Sequence, residues 1–160
     1  MTIYLLVVNE IRPLEGPIIP ASDVYCFMME HKCWEFTEQA PFFKHMQAED
    51  VLVYYLAGHK ARYFAGQAVV AGIAKKIDKD DSGTFDRQSV PYFSWRIPLK
   101  NIITYPPKAI DLDVLKKLSF VQKSTVEEKH IGLLIRVGIR KLELQDLELI
   151  TKELASVTKQ

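Results

Sequence analysis

Two apolar runs a few residues apart, Val51-Leu52-Val53-Tyr54-Tyr55-Leu56-Ala57 and Phe64-Ala65-Gly66-Gln67-Ala68-Val69-Val70-Ala71-Gly72-Ile73-Ala74, constrain this chain more than any other feature. The first reads as an apolar, aromatic-bearing strand. Gly58-His59-Lys60 separates the runs as a turn, so Tyr63 to Ala74 reads as an antiparallel hairpin partner. Period-two alternation places Phe64, Gly66, Ala68, Val70, Gly72 and Ala74 on one face, nearly all of them small. Glycine inside a strand marks a bend or the close approach of another backbone or a ligand. Two readings stand equally: the small residues leave room for something flat beside an aromatic strand, or they let a tight barrel close.

The rest of the chain supplies elements around that hairpin. Ile3-Tyr4-Leu5-Leu6-Val7-Val8-Asn9 reads as a buried strand ended by a turn-former, and Arg12-Pro13 through Pro17 to Pro20 as a loop. Ser22 is placed to cap a helix whose Val24, Phe27 and Met28 face the core. After Cys33-Trp34 come a short apolar turn of helix (Phe42, Phe43, Met46) and the acidic turn Glu49-Asp50. Lys75 to Arg87 is polar, with Asp80-Asp81-Ser82-Gly83 as a surface loop.

Tyr92-Phe93-Ser94-Trp95-Arg96-Ile97 alternates, placing Phe93, Trp95, Ile97 and Leu99 on one face, and Pro98 puts that part of the strand at an edge or a bulge. Leu112, Leu115 and Leu118 align on a short helix, Ser124 to Lys129 suits another helical turn, and Ile131 to Val137 suits a strand or a tucked loop. Leu147, Ile150 and Leu154 form the stripe of a last helix from about Gln145, with Asp146 and Glu148 near its positive end and a fraying tail after Ala155. The expected architecture is one α+β domain over residues 1–160, with about five strands in a small curved sheet and four helical pieces.

With 160 residues, 48% hydrophobic and 26% charged, the chain is long enough to bury its own core. No apolar run is long enough to span a bilayer, and Met1-Thr2-Ile3-Tyr4 lacks the basic start of a secretory signal. Two cysteines are too few for a disulfide scaffold. The expectation is a soluble, cytoplasmic protein with no membrane partner. A net charge of +1 argues against a strongly basic nucleic-acid protein. Between Lys116 and Lys141, however, seven Lys and Arg stand against two acids. Such a segment suits an anionic partner held at one edge or, equally, a solvated surface.

Cys26, His31, Cys33 and His45 are of metal-ligating type, but their spacing is irregular and Cys26 lies in an apolar helix, where cysteine is commonly buried. The expectation is no metal. No dinucleotide fingerprint, phosphate-binding loop, nucleophile elbow or zinc-protease motif occurs. Cys33 with His31 or His45 could pair as nucleophile and base only if the fold brought them together. What is left is aromatic: Tyr4, Trp34, Tyr54, Tyr55, Tyr92 and Trp95.

In their order, these features resemble the EVE domain family, a branch of the PUA-like superfamily that also includes YTH domains. Ile3 to Asn9 resembles the family's first strand, which ends in a polar residue. Cys33-Trp34 resembles the tryptophan after the first helix, and Met46-Gln47-Ala48-Glu49-Asp50-Val51-Leu52-Val53-Tyr54-Tyr55 its central signature. Phe64 to Val70 resembles the strand that follows, and Tyr92 to Ile97 the later strand that carries a second tryptophan in YTH domains. Two positions depart from the pattern: Glu49 stands where the family usually has glycine before aspartate, and Glu35-Phe36 replaces the usual residues after the tryptophan.

The resemblance implies a PUA-like β-barrel with peripheral helices and a pocket for a modified nucleobase in DNA or RNA. By that likeness Asn9 would hydrogen-bond the base edge, Trp34 and Trp95 would form two cage walls, and Tyr54 in the signature strand is a further ligand-binding candidate. Lys129, Arg136 and Arg140 would reach phosphates. The expected function is therefore a non-enzymatic reader of a modified base, with no cofactor. The alternatives are a small nucleotide-acting enzyme using Cys33 with His31 or His45, and an interaction subunit whose aromatics are all core.

Overall fold

The computed structural model describes residues 1–13, 16–57, 62–77, 93–107, 112–124 and 138–155. The turn expected at Gly58-His59-Lys60, the loop at Asp80-Asp81-Ser82-Gly83, the helical turn after Ser124, the Ile131 to Val137 segment and the tail after Ala155 lie outside the described residues. Tyr92, Lys129 and Arg136 lie outside them as well.

The elements follow as β1 (Ile3–Val8), α1 (Ala21–Glu30), β2 (Cys33–Phe36), a 3-10 turn (Phe43–His45), β3 (Val51–Leu56), β4 (Phe64–Val70), β5 (Lys75–Lys76) and β6 (Trp95–Thr104). After them come α2 (Leu112–Leu115), α3 (Ser119–Gln122), β7 (Ile139–Leu142) and α4 (Leu144–Ala155). The strands form one curled, mixed sheet in the order β2-β6-β4-β3-β1-β7, with β5 against β6. β1 runs parallel to β3, Ile3 opposite Val51 through Val8 opposite Leu56. The other pairs are antiparallel.

Every residue of β3 is buried. Leu52, Tyr54 and Leu56 enter one core with Val24, Tyr25 and Met28 of α1 and with Trp34 and Phe36 of β2. Val51, Val53 and Tyr55 enter a second core with Leu118, Val121, Ile150 and Leu154. Helices therefore cover both faces of the strand, which is why its sequence lacks polar alternation.

A register shift between Tyr54 and Tyr55 breaks the expected small face of β4. Ala65, Ala68 and Val70 pack in the first core, whereas Phe64 lies opposite Tyr55 in the second. Gly66 is opposite Tyr54, and a Cβ there would collide with the Tyr25 hydroxyl and the Ile103 carbonyl oxygen. The chain's own tyrosine and backbone thus fill the space beside the small-residue strand. Of the two readings open from the sequence, close packing of the sheet is the one observed. Pro98 marks the place where β6 changes partners: residues 95–98 pair with β2, and those from Leu99 onward pair with β4.

Several local expectations differ from the structure. Pro20, not Ser22, occupies the N-cap of α1; its carbonyl accepts from the Asp23 and Val24 N–H groups, both at 3.0 Å. Phe27 is 43% exposed rather than in the core, and Cys26 is exposed rather than buried. β2 and β7 are strands that the sequence reading did not separate. The expected last helix is present, and Asp146 does more than favour its positive end. Buried at its first turn, this carboxylate accepts from the Glu143 N–H at 2.9 Å and the Ser119 N–H at 2.8 Å, tying α3 to α4.

Candidate functional site

Curling brings the two ends of the strand order toward one another, β2 on one side and β1 with β7 on the other. A cavity of about 330 Å³ lies between them. Leu6, Val7 and Val8 of β1 wall it together with Asn9, Glu10 and Ile11, where the chain leaves the strand. Val24 and Met28 of α1 contribute from above, and Trp34, Glu35 and Phe36 from β2. Thr37, Ala40, Pro41 and Phe93 continue that side, and Gly138 and Ile139 close the other.

The wall is mainly apolar. Its polar groups are the exposed Asn9 amide, Glu10, Glu35 and Thr37. Glu35 is 5% exposed, and its carboxylate accepts from Arg96 Nη2 at 3.2 Å, so its charge is paired where it is buried.

Two of the residues expected at the site meet there: Asn9 and Trp34 both line the cavity. Trp34 is 7% exposed and packs against Tyr54, ring centroids 4.6 Å apart. Tyr54 does not line the cavity. It is fully buried behind Trp34, its hydroxyl has no hydrogen-bond partner among the described residues, and burial pushes that hydroxyl's pKa well above the usual tyrosine value.

Trp95 does not line the cavity either, so the expected pairing of Trp34 with Trp95 across a ligand is not the observed geometry. Its ring lies 5.6 Å from Phe43, its Nε1 donates to the Glu38 carboxylate, and the Lys44 ammonium sits 5.1 Å from its ring centroid. Phe43 stacks in turn on Phe36, at 5.2 Å and 14°. Trp95 is the cross-strand partner of Phe36 and packs with it on Phe43, outside the cavity wall, and Phe36 and Phe93 supply the aromatic wall beside Trp34.

Arg140 also departs from expectation. It is opposite Leu5 on β1, and cross-strand partners share a face. Leu5 belongs to the second core, and the Arg140 guanidinium lies 5.1 Å from the centroid of Phe120 in α3. Leu6 and Ile139, the neighbouring pair, face the cavity. Arg140 is therefore on the opposite face of the sheet, away from any phosphate at the cavity.

Cys33 is buried on β2, His45 is exposed on the 3-10 turn, and His31 Nδ1 lies 2.8 Å from the Phe27 carbonyl oxygen. None of the three lines the cavity. Among the described residues, no three His, Cys, Asp or Glu side chains gather to hold a metal ion, and no helix is long and apolar enough to cross a membrane.

The sequence carries partial signals for the remaining wall residues. Phe93 shares its alternating face with Trp95, and Phe36 lies two residues after Trp34 on the same side of β2. Gly138, with φ 58°, marks the turn into β7 that brings Ile139 to the cavity.

No family model matches the sequence. No curated protein matches it. Solved structures do resemble the fold. A hypothetical protein from Leishmania major superposes with a TM-score of 0.56 at 14% identity, over 99% of this chain and 97% of that one. Human THYN1 in complex with DNA containing 5-methylcytosine gives a TM-score of 0.53 at 13% identity, over 96% of this chain and 98% of that one. The DUF55 domain of human thymocyte nuclear protein 1 gives 0.53 at 16% identity, over 94% and 97%. The curled mixed sheet with its helices is the PUA-like fold of these structures, and the EVE-like fold implied by the sequence resemblance is the fold of this chain.

Proposed function

We propose that this chain is a non-enzymatic binding module that takes a modified nucleobase of DNA or RNA into the cavity between β1, α1 and β2. The observation that carries this reading is the composition of the cavity wall: three aromatic residues, Trp34, Phe36 and Phe93, with the exposed amide of Asn9 at the end of β1. A nucleobase is flat and apolar on its faces but polar along its edge. Stacking on an aromatic face contributes about 1 to 3 kcal/mol per base. A methyl group adds roughly 0.8 kcal/mol when it is buried. The asparagine amide offers both a donor and an acceptor, the pair needed to read a base edge.

A cavity of about 330 Å³ has room for a base. The human THYN1 structure with 5-methylcytosine DNA supports this class of ligand for the fold. The aromatic cage of this reading is Trp34, Phe36 and Phe93 in place of Trp34 with Trp95. The enzyme reading draws no support from the cavity, because Cys33, His31 and His45 lie outside its wall.

The test is a titration with single-stranded and duplex DNA and RNA oligonucleotides carrying a central 5-methylcytosine or cytosine. A preference for the modified base is expected, and Asn9→Ala, at an exposed position, should weaken binding about tenfold while leaving the melting temperature unchanged. Equal binding of modified and unmodified oligonucleotides throughout, or no binding at all, would overturn the proposal.

A further inference from the structure

Phe42 has backbone angles that an aromatic residue rarely adopts, φ 67° and ψ −23°. The Phe43 N–H donates to the Pro41 carbonyl at 2.9 Å, closing a γ-turn centred on Phe42 that is strained for any residue with a Cβ. Glycine would adopt this conformation without steric cost. The chain instead holds a large ring there and leaves it 36% exposed, so burial returns only part of its usual stabilisation. Strain retained without full burial points to use of the ring at the surface.

The ring's neighbours indicate what that use is. Its centroid is 5.9 Å from that of Tyr4, and the Lys141 ammonium lies 5.5 Å from it. Tyr4 and Lys141 are cross-strand partners on β1 and β7. Two residues further along the same strands, on the same face, the partners Leu6 and Ile139 line the cavity, as does Pro41 just before Phe42. A two-residue step along a strand is about 7 Å. An exposed aromatic ring with a cation on it therefore sits one short step from the cavity.

We infer that Phe42 and Lys141 form a second subsite, in which the base flanking the modified one stacks on Phe42 and its phosphate is held by Lys141. The inference rests on the base-binding reading of the cavity, and it makes the ligand a strand of at least two nucleotides rather than a free nucleoside. Stacking of this kind tolerates any flanking base, because every base has a flat face. The lysine acts as a point charge on the phosphate.

The test compares wild type, Phe42→Gly and Lys141→Gln on three probes: a nine-nucleotide single strand with central 5-methylcytosine, the same strand with abasic sites flanking that base, and 5-methyl-2′-deoxycytidine. Phe42→Gly should weaken the intact strand about tenfold, leave the other two probes unchanged and keep its melting temperature close to wild type, since glycine relieves the turn. Lys141→Gln should weaken the strand and reduce the slope of log affinity against log salt by about 0.7. Wild-type affinity for the intact strand in both variants, or an equal loss on the nucleoside, would overturn the subsite. If wild type does not prefer 5-methylcytosine to cytosine, it is the cavity reading that fails. The unmodified strand then judges the subsite by itself: a loss on Phe42→Gly upholds stacking, and no loss overturns it.

Discussion

The rings of Trp34 and Tyr54 meet with centroids 4.6 Å apart and planes inclined by 42°, so a fully buried tyrosine on the central strand backs the tryptophan that lines the cavity. Tyr25 packs edge-on against Tyr54 as well, at 5.5 Å and 61°. The cavity's aromatic wall therefore rests on a column of rings running from β2 through β3 to α1. Aromatic contacts of this kind contribute about 0.5 to 1.5 kcal/mol each beyond the area they bury.

Within that column the Tyr54 hydroxyl is buried with no hydrogen-bond partner among the described residues. Tyr54→Phe keeps the ring and removes the orphaned group, so it should stabilise the fold by about 1 kcal/mol. The expected rise in melting temperature is about 2 to 4 °C for a chain of this size. Binding should be unaffected, because Tyr54 does not line the cavity. A lower melting temperature, or loss of oligonucleotide binding in a folded variant, would count against this placement.

Gly66 faces the Tyr25 hydroxyl and the Ile103 carbonyl oxygen. Gly66→Ala should destabilise by about 3 kcal/mol or more, since overpacking here meets backbone as well as a side chain. Adding Tyr25→Phe should recover only part of the loss, because the Ile103 carbonyl stays in place. Urea unfolding of the three variants measures this. Complete recovery in the double variant would show that the backbone contact is immaterial.

Glu49 has φ 76°, the left-handed region, at the position where the resembled family usually carries glycine. That conformation costs a residue with a Cβ about 1 to 2 kcal/mol. Glu49→Gly removes that cost. It also loses the exposed ion pair with Lys100 and adds freedom to the unfolded chain, so the net gain should be about 0.5 kcal/mol. Glu49→Ala loses the ion pair and keeps the strain. Chemical denaturation should therefore rank Gly above Ala, and the reverse order would refute the strain at this turn.

The Trp95 indole donates to the Glu38 carboxylate and, with Lys44 adding to the effect, holds its pKa below the ordinary carboxylate range. With the folded pKa depressed, the interaction is complete at neutral pH and is lost as pH falls through that lowered value. Its exposure makes the effect on stability small, so fluorescence is the better probe. In a Trp34→Phe background, Trp95 emission should titrate with a midpoint below that of a free carboxylate, and Glu38→Gln should remove the transition. A midpoint at the ordinary carboxylate value would contradict the bond.

The sequence by itself determined the elements whose physics is local. Val51 to Leu56 is a strand because its apolar run is rich in β-branched and aromatic residues, and the Leu147, Ile150 and Leu154 stripe makes α4 because it gives that helix one apolar face. Asn9 and Trp34 were legible through their place in the resemblance, at the ends of elements that the fold brings to one cavity. Only the tertiary structure decided the rest. A one-residue bulge at Tyr54/Tyr55 sent Phe64 to the opposite core, and no local pattern announces such a shift. Pairing of β7 with β1 turned Arg140 away from the cavity and Ile139 toward it, a choice made by register with a strand more than a hundred residues away. Alternation put Phe93 and Trp95 on one face, but Phe93 lines the cavity while Trp95, opposite Phe36, packs on Phe43 outside its wall. Which aromatic ring becomes a wall is a property of the closed sheet, because burial depends on what lies across the core and not on what lies beside it in the chain.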